Sequence, residues 1–464
     1  MANDKPEIIR RLRLMADLTL ESPLLIGTGE NDNITDTMVL RNKDGFPVIP
    51  GTSLAGVLRS KNDKYFGLID EEGRKKAKED ESYQSVFVVD DIVLKHHNGV
   101  VVRDGVRIND VTNIGEKKGK FDYEAVERGA KGKLEIIANI RKYQEEEIED
   151  IKSTLEGIGE RLYQGLQLGA LTRRGFGKVV GSNVWLDDYD FSEYKNVLHW
   201  LKKEPAEKRK KVEKKEFSYS KDTMVMELEL HLSNSLLVRS DDFDEKDYEG
   251  VKGGKGSINS VQMKSRNEYV IPGASVRGVI RHHAKKILTV LGKDETMVRK
   301  MFGFSDKDTK EKKRGHLITE EVYFGGEGYK QTRIKIDRFT GGTIDGALMT
   351  NVPVLQSKAS DTLKMRFLLE KATSAEIGLM LLVAKDICTG RVAFGGEKSI
   401  GRGVMSGVNV MMTYDRKEIN ITCNGSKVRF SGKTADGELL SEEEIRDLLE
   451  SYVTDLNLGG ENNG

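Results

Sequence analysis

The sequence has little cysteine, proline or tryptophan: two, seven and two in 464 residues. Cys388 and Cys423 make no CxxC and stand at no metal-ligand spacing. That excludes a disulfide scaffold and a cysteine-built zinc site, and it fits a reducing compartment. No apolar run is long enough to span a bilayer, and the opening MANDKPEIIRRLRL lacks the apolar core of a signal peptide. A cytoplasmic protein with no membrane partner is therefore expected. A surplus of charge is also missing, since 75 Lys+Arg balance 75 Asp+Glu. The balance is uneven, however. Residues 436–464 carry nine acids and one base, a net of −8, so the rest of the chain carries +8. A locally basic surface on the main body is compatible with nucleic acid.

What the sequence does have is repetition. Residues 49–60 read IPGTSLAGVLRS and residues 271–282 read IPGASVRGVIRH, with seven identities at an offset of 222. A second pair follows, LGALTRRGFGKVVGSNV at 168–184 and GGEKSIGRGVMSGVNV at 395–410. There Gly169, Gly175, Gly177 and Gly181 match Gly395, Gly401, Gly403 and Gly407, all 226 apart. Two motifs recurring in the same order at nearly one offset imply a duplicated domain. With 37% hydrophobic residues the chain is long enough to bury two cores. The boundaries read as domain 1 at 1–200, a charged linker at 201–222, domain 2 at 223–435 and an acidic helix and tail at 436–464.

Each half follows one plan. Residues 8–20 and 224–238 alternate apolar and polar and predict strands. Polar, glycine-bearing loops follow, at 24–35 and 239–260. Pro50–Gly51 then opens a helix with Thr52 or Ser53 as N-cap and Leu54, Val57 and Leu58 on its buried face. The repeated helix runs from 274 to about 291, burying Val276, Val279, Ile280, Ile287 and Leu288. Segments 103–129 and 332–353 predict extended arms around a charged tip, a protruding hairpin in each half or an ordinary hairpin of its sheet. Residues 144–165 form an amphipathic helix with Ile148, Ile151, Leu155, Ile158 and Leu162 on one stripe. Residues 202–221, basic around Pro205, predict a linker that is a short charged helix or unstructured. Ser441 with Glu444 makes a capping box for a C-terminal helix that docks or faces a partner. Strands alternating with two helices predict an α+β chain of two β-α-β-β-α-β, ferredoxin-like units, a sheet plan used by many RNA binders.

Taken together, IGTGENDNITD…IPGTSLAGVLRS, GALTRRGFGKV, IPGASVRGVIRHH, MFGF and FGGEKSIGRGVMSG resemble the CRISPR-associated RAMP (repeat-associated mysterious protein) superfamily. Within it the chain is most similar to the backbone subunits of type III effector complexes. The resemblance covers most of 8–200 and 224–415. It implies two RAMP domains, each with a thumb hairpin and a glycine-rich loop. It implies guide RNA (crRNA), target RNA and other RAMP-type subunits as partners. It also implies target cleavage by one loop aspartate with Mg2+ or Mn2+, weakly bound and dependent on target RNA. That aspartate falls on Asp36. Its counterpart in the second half is Asn259, with Asp241 and Asp242 earlier in the loop as alternatives.

Phosphate contacts are expected at Arg10, Ser53, Arg59, Arg239, Lys255, Ser275, Arg277 and Arg281. They are expected also around the glycine loops, at Gly169, Arg173, Arg174, Gly175, Gly177 and Lys178 and at Gly395, Lys398, Gly401, Arg402 and Gly403. Main-chain amides reach phosphate where no side chain intervenes, and arginine's planar fork donates two bonds at once. Such contacts position RNA without reading sequence. Two other readings stay open: a purely structural crRNA-binding subunit, and a guide-precursor endoribonuclease using His282 or His283.

Overall fold

The computed structural model describes residues 7–29, 36–60, 64–67, 85–96, 99–109, 112, 115–215, 218–240, 243–254, 256–305, 310–356, 361–424 and 427–458. Contacts divide the chain into two units. The first is Met1–Arg107, Gly115–Thr172 and Phe176–Phe217; the second is Ile108–Ile114, Arg173–Gly175 and Ser218–Gly464.

In the first unit the order is β1 (Ile8–Leu20), α1 (Gly51–Arg59), β2 (Phe87–Val89), an arm of β3 (Val100–Ile108) and β4 (Gly115–Val126), β5 (Lys131–Arg141), α2 (Ile148–Gln164), β6 (Lys178–Asp190), α3 (Tyr194–Leu201) and β7 (Lys208–Lys211). The sheet runs β7-β6-β1-β5-β2, all antiparallel, with β3 and β4 paired separately as a ribbon. Without the edge strand β7 this is the β-α-β-β-α-β order expected from the sequence. The alternation of β1 places Leu12, Leu14, Ala16, Leu18 and Leu20 in the core. Helix α2 covers them with Ile151, Leu155, Ile158 and Leu162, as its stripe predicts. Each such side chain fully removed from water contributes roughly 1.5–3 kcal/mol.

The second unit repeats the plan and extends it. Its elements are β8 (Met224–Leu232), β9 (Ser260–Gln262), α4 (Gly273–Val290), β10 (Leu317–Thr319), an arm rooted in β11 (Gln331–Arg333) and β12 (Met349–Val352), β13 (Leu363–Leu369), α5 (Ser374–Cys388) and β14 (Met405–Tyr414). After them come β15 (Lys417–Asn424), β16 (Lys427–Lys433) and α6 (Glu442–Leu458). The sheet order β10-β13-β8-β14 matches β2-β5-β1-β6, and β15 and β16 continue it beyond β14. Helix α5 is apolar on nearly all sides, so the sheet alone cannot bury it. The C-terminal helix α6 covers it, with Ile445, Tyr452 and Leu456 buried. Its capping box is formed: Ser441 N donates to Glu444 at 2.8 Å and Glu444 N to the Ser441 hydroxyl at 3.2 Å.

Two local expectations are corrected. Neither Thr52 nor Ser53 is an N-cap. Both repeated helices begin at the glycine, with Pro50 or Pro272 as N-cap and no side-chain cap. The proline carbonyl accepts from the amides of Ser53 and Leu54, and of Ser275 and Val276, at 2.9–3.2 Å. The basic stretch after Pro205 is neither helical nor unstructured at Lys208–Lys211, which pairs with β6 as an edge strand. Acids supply the reason: Arg209 meets Asp187 at 3.3 Å and Lys210 meets Glu156 at 2.9 Å.

The glycine loops are built alike. Gly177 and Gly403 hold φ of 78° and 75°, and a Cβ on either would run into a carbonyl, that of Leu168 or of Phe394. The amide of Gly177 donates to Pro23 and that of Gly403 to Ser235, at 2.7 and 2.8 Å. The amides after Gly169 and Gly395 donate in the same way to Leu25 and Leu237. These glycines therefore serve close main-chain packing, and those four amides are already used within the protein, not held open for phosphate as the sequence reading expected. Gly177→Ala or Gly403→Ala should each destabilise its unit by about 2–5 kcal/mol, read as a lower midpoint in urea unfolding.

Candidate nucleic-acid interface

Asp36 lies at the root of the first arm, exposed, just before the residue that bridges to it. Its amide donates to the Asp122 carbonyl at 3.0 Å, and its carboxylate Oδ2 accepts from the Asp122 amide at 3.1 Å. The next residue, Thr37, makes a parallel bridge to Tyr123. Asn259 is held the same way. Its amide donates to the Thr350 carbonyl at 2.7 Å, its Oδ1 accepts from the Thr350 amide at 2.7 Å, and Ser260 pairs in parallel with Asn351. Each loop is thus tied twice to the returning strand of its own arm.

The surroundings differ in charge. Asp122 hydrogen-bonds Asp104, which pushes its carboxyl above the usual range, with burial and the negative charges of Asp104 and Asp36 adding to the shift. The corresponding atoms in the second unit belong to Thr332 and Thr350, whose hydroxyls lie 2.9 Å apart. Carboxylate oxygens suit a hard divalent cation. Among the described residues, no group of three His, Cys, Asp or Glu stands close enough to hold one. The exposed Asp36 carboxylate offers one such oxygen, its other oxygen being held by the Asp122 amide.

The two repeated helices present a second shared feature. Ser53, Gly56 and Arg59, and likewise Ser275, Gly278 and Arg281, are spaced by three along the helix and follow one surface row. A Cβ on Gly56 or Gly278 would meet open space. A helix-interior glycine costs roughly 0.5–1 kcal/mol relative to alanine, and here no contact within the unit repays it. Arg59 and Arg281 form no ion pair with a described residue, and Arg281 Nε is buried without a hydrogen-bond partner.

A model of the RAMP superfamily matches residues 17–180 and 229–406. The chain belongs to the RAMP superfamily. Membership carries a CRISPR-associated role, and RAMP proteins generally work in effector complexes with RNA and other subunits. No match was found among curated proteins. Among the described residues no helix is long and apolar enough to cross a membrane.

In this RAMP protein the expected RNA-binding residues fall into two classes. One class is committed to protein partners. Arg10 pairs with Asp190 and with Asp188 at 3.5 Å. Arg277 is buried and donates to the carbonyls of Leu317 and Phe302 at 2.6 and 2.9 Å, and burial pushes its guanidinium down to about 9. Lys178 pairs with Glu21 at 2.9 Å. Arg173, which groups with the second unit, pairs with Glu370 at 2.6 Å. The other class has no hydrogen-bond or ion-pair partner among the described residues: the side chains of Arg59, Arg281, the exposed Arg174 and Lys398, and the hydroxyls of Ser53 and Ser275. Lys255, Asp241 and Asp242 lie outside the described residues. His283 is paired with Asp386 at 2.8 Å.

Sequence reading missed an ionic cluster centred on Glu397. Arg402, 2% exposed, donates to it at 2.7 Å and also to Ser235 and Gln331, each at 2.6 Å. Arg333 pairs with the same carboxylate, Asn351 donates at 2.9 Å and Arg239 approaches at 3.4 Å. So Arg402 and Arg239, expected to meet phosphate, are turned onto a carboxylate. In the first unit the equivalent positions are Leu171 and Phe176, and Phe176 packs edge-on against Tyr123 at 5.8 Å. The signal was present as a charged pair, Glu397 and Arg402, replacing an apolar pair at the 226 offset.

Burial pushes the Glu397 carboxyl up, but hydrogen bonds from Arg333 and Arg402 outweigh it and hold it below its usual 4.5. A depressed carboxylate stabilises the fold above its unfolded value and loses that contribution as pH falls through the lower folded value. The second unit should therefore weaken as pH drops below about 4.5. Glu397→Gln should flatten that part of the profile and, at neutral pH, cost about 3 kcal/mol or more by leaving Arg402 buried without its charge partner. Urea unfolding at a series of pH values measures both effects.

Proposed function

We propose that this protein is a backbone subunit of a type III CRISPR effector complex. In this reading it binds crRNA along both units and cleaves complementary target RNA at the first unit's loop. The observation that carries it is the exposed residue Asp36, held at the root of an arm by one bond to its carboxylate and one from its amide, on a chain of this superfamily. The duplicated Ser-Gly-Arg rows support guide binding. Each offers a hydroxyl, an open strip of helix backbone and a free guanidinium, which suit successive phosphates on one strand. Specificity then comes from base pairing with the guide.

The reaction is an internal transesterification. The target's 2′-oxygen bonds to the adjacent phosphorus and releases its proton to water. The bond from phosphorus to the 5′-oxygen breaks, and that oxygen takes a proton from water. The products are a 2′,3′-cyclic phosphate and a 5′-hydroxyl. Asp36 orients the scissile phosphate from the exposed side of its carboxylate, while the Asp122 amide fixes the other oxygen. Asp36 would be the protein ligand for Mg2+ or Mn2+, which when bound would supply neutralisation of the charge developing on the phosphate oxygens.

Asp36→Ala in the assembled complex should abolish metal-dependent cleavage of guide-matched RNA at sites served by this chain and leave assembly unchanged. Undiminished cleavage there would leave a purely structural crRNA-binding role. Arg59→Ala and Arg281→Ala should each weaken guide binding and reduce the slope of log affinity against log salt by about one. Binding titrations across salt concentrations read this directly.

A further inference from the structure

The two loops differ in charge but not in how they are held. In each, the side-chain oxygen and the amide of one residue close a pair of hydrogen bonds on the main chain of the returning strand, Asp122 or Thr350. In each, a parallel pairing follows at the next residue. Asn259 presents the same acceptor oxygen as Asp36, and its second terminal atom is a neutral NH2 where Asp36 has an anionic oxygen. A loop with no use for a bound strand has no need to reproduce this double tie across a separation of 91 residues.

We propose that the second unit's loop seats the target strand in the same pose as the first. A single uncharged atom on Asn259 is then what withholds cleavage there. The amides of Asp122 and Thr350 act as positioning groups, aiming the loop residue at the phosphate. The inference rests on the reading of Asp36 given above. The step at a converted loop is the same transesterification, with the 2′-oxygen bonding to phosphorus and the 5′-oxygen leaving.

The test exchanges the two residues in the full chain, assembled with guide RNA and its partner subunits. End-labelled target RNA in Mg2+ or Mn2+ is the probe. Asp36→Asn should retain target affinity and lose the native cut by at least about a hundredfold, since a neutral amide takes over the tie without the anionic oxygen. Adding Asn259→Asp to that variant should produce a cut at a new position on the target. Target affinity of both variants checks that the loops still fold, because either side chain can accept from the strand amide. Native cleavage that persists in Asp36→Asn ends the reading of Asp36 itself. Loss of the native cut with no new cut in the double variant overturns this inference alone. A new cut that appears only after Thr332→Asp and Thr350→Asp are added also overturns it, because the requirement then lies with the pair of carboxylates facing the loop.

Discussion

The main chain of one residue on the returning strand of each arm both donates to and accepts from a single loop residue, and the proposed site depends on those two reciprocal bonds. Loops ordinarily carry mobile residues. Here the arm's own hydrogen bonding is borrowed to hold one side-chain oxygen still, as a functional site on a loop requires. The device is independent of charge, because a carboxylate and an amide oxygen satisfy it equally. That independence lets one architecture appear twice in the chain with different chemistry at the tip of the bond.

Behind the loops the units diverge in a way that shows how a core tolerates exchange. Phe176 packs edge-on against Tyr123 beneath the buried Arg103 guanidinium, whereas Arg402 in the corresponding place brings its own carboxylate, Glu397, and borrows a hydroxyl and an amide. A buried guanidinium is tolerated only when its donors are satisfied, and three partners converge to do so. Leu171 and Glu397 share nearly the same left-handed backbone, φ 56° and 57°, so the change of chemistry leaves the turn intact.

Much of this was legible in sequence because it depends on spacing. The alternation of β1 and β8, the stripe of α2, the twice-used helix opening and the glycine positions are all local patterns, and the ferredoxin-like strand order follows from their succession. Asp36 and Asn259 were singled out through the family resemblance and not through spacing, and their matching ties to Asp122 and Thr350 are visible only in the fold. The fate of individual arginines was not legible in sequence. Arg13 finds Asp187 at a separation of 174 residues and Arg402 finds Ser235 at 167, so no window of sequence shows that either charge is already taken. The proline N-caps were hidden as well, because proline offers no side-chain acceptor and the Gly51 amide is taken by Asp91, 40 residues away. The basic strand β7 was unreadable without the acids of β6 and α2 beside it.

Helix α5 has a consequence for biosynthesis. Its outer face is closed by residues 442–458, which leave the ribosome after everything they cover. Gly378, where an added Cβ would strike the Tyr452 carbonyl, shows how closely the two backbones approach. While the chain is being made, the second unit therefore stands with one apolar helix wet, a state open to chaperones and to self-association. The first unit, whose helix α2 packs on β1 and on the later strand β6, has its whole sheet synthesised before the second unit's begins.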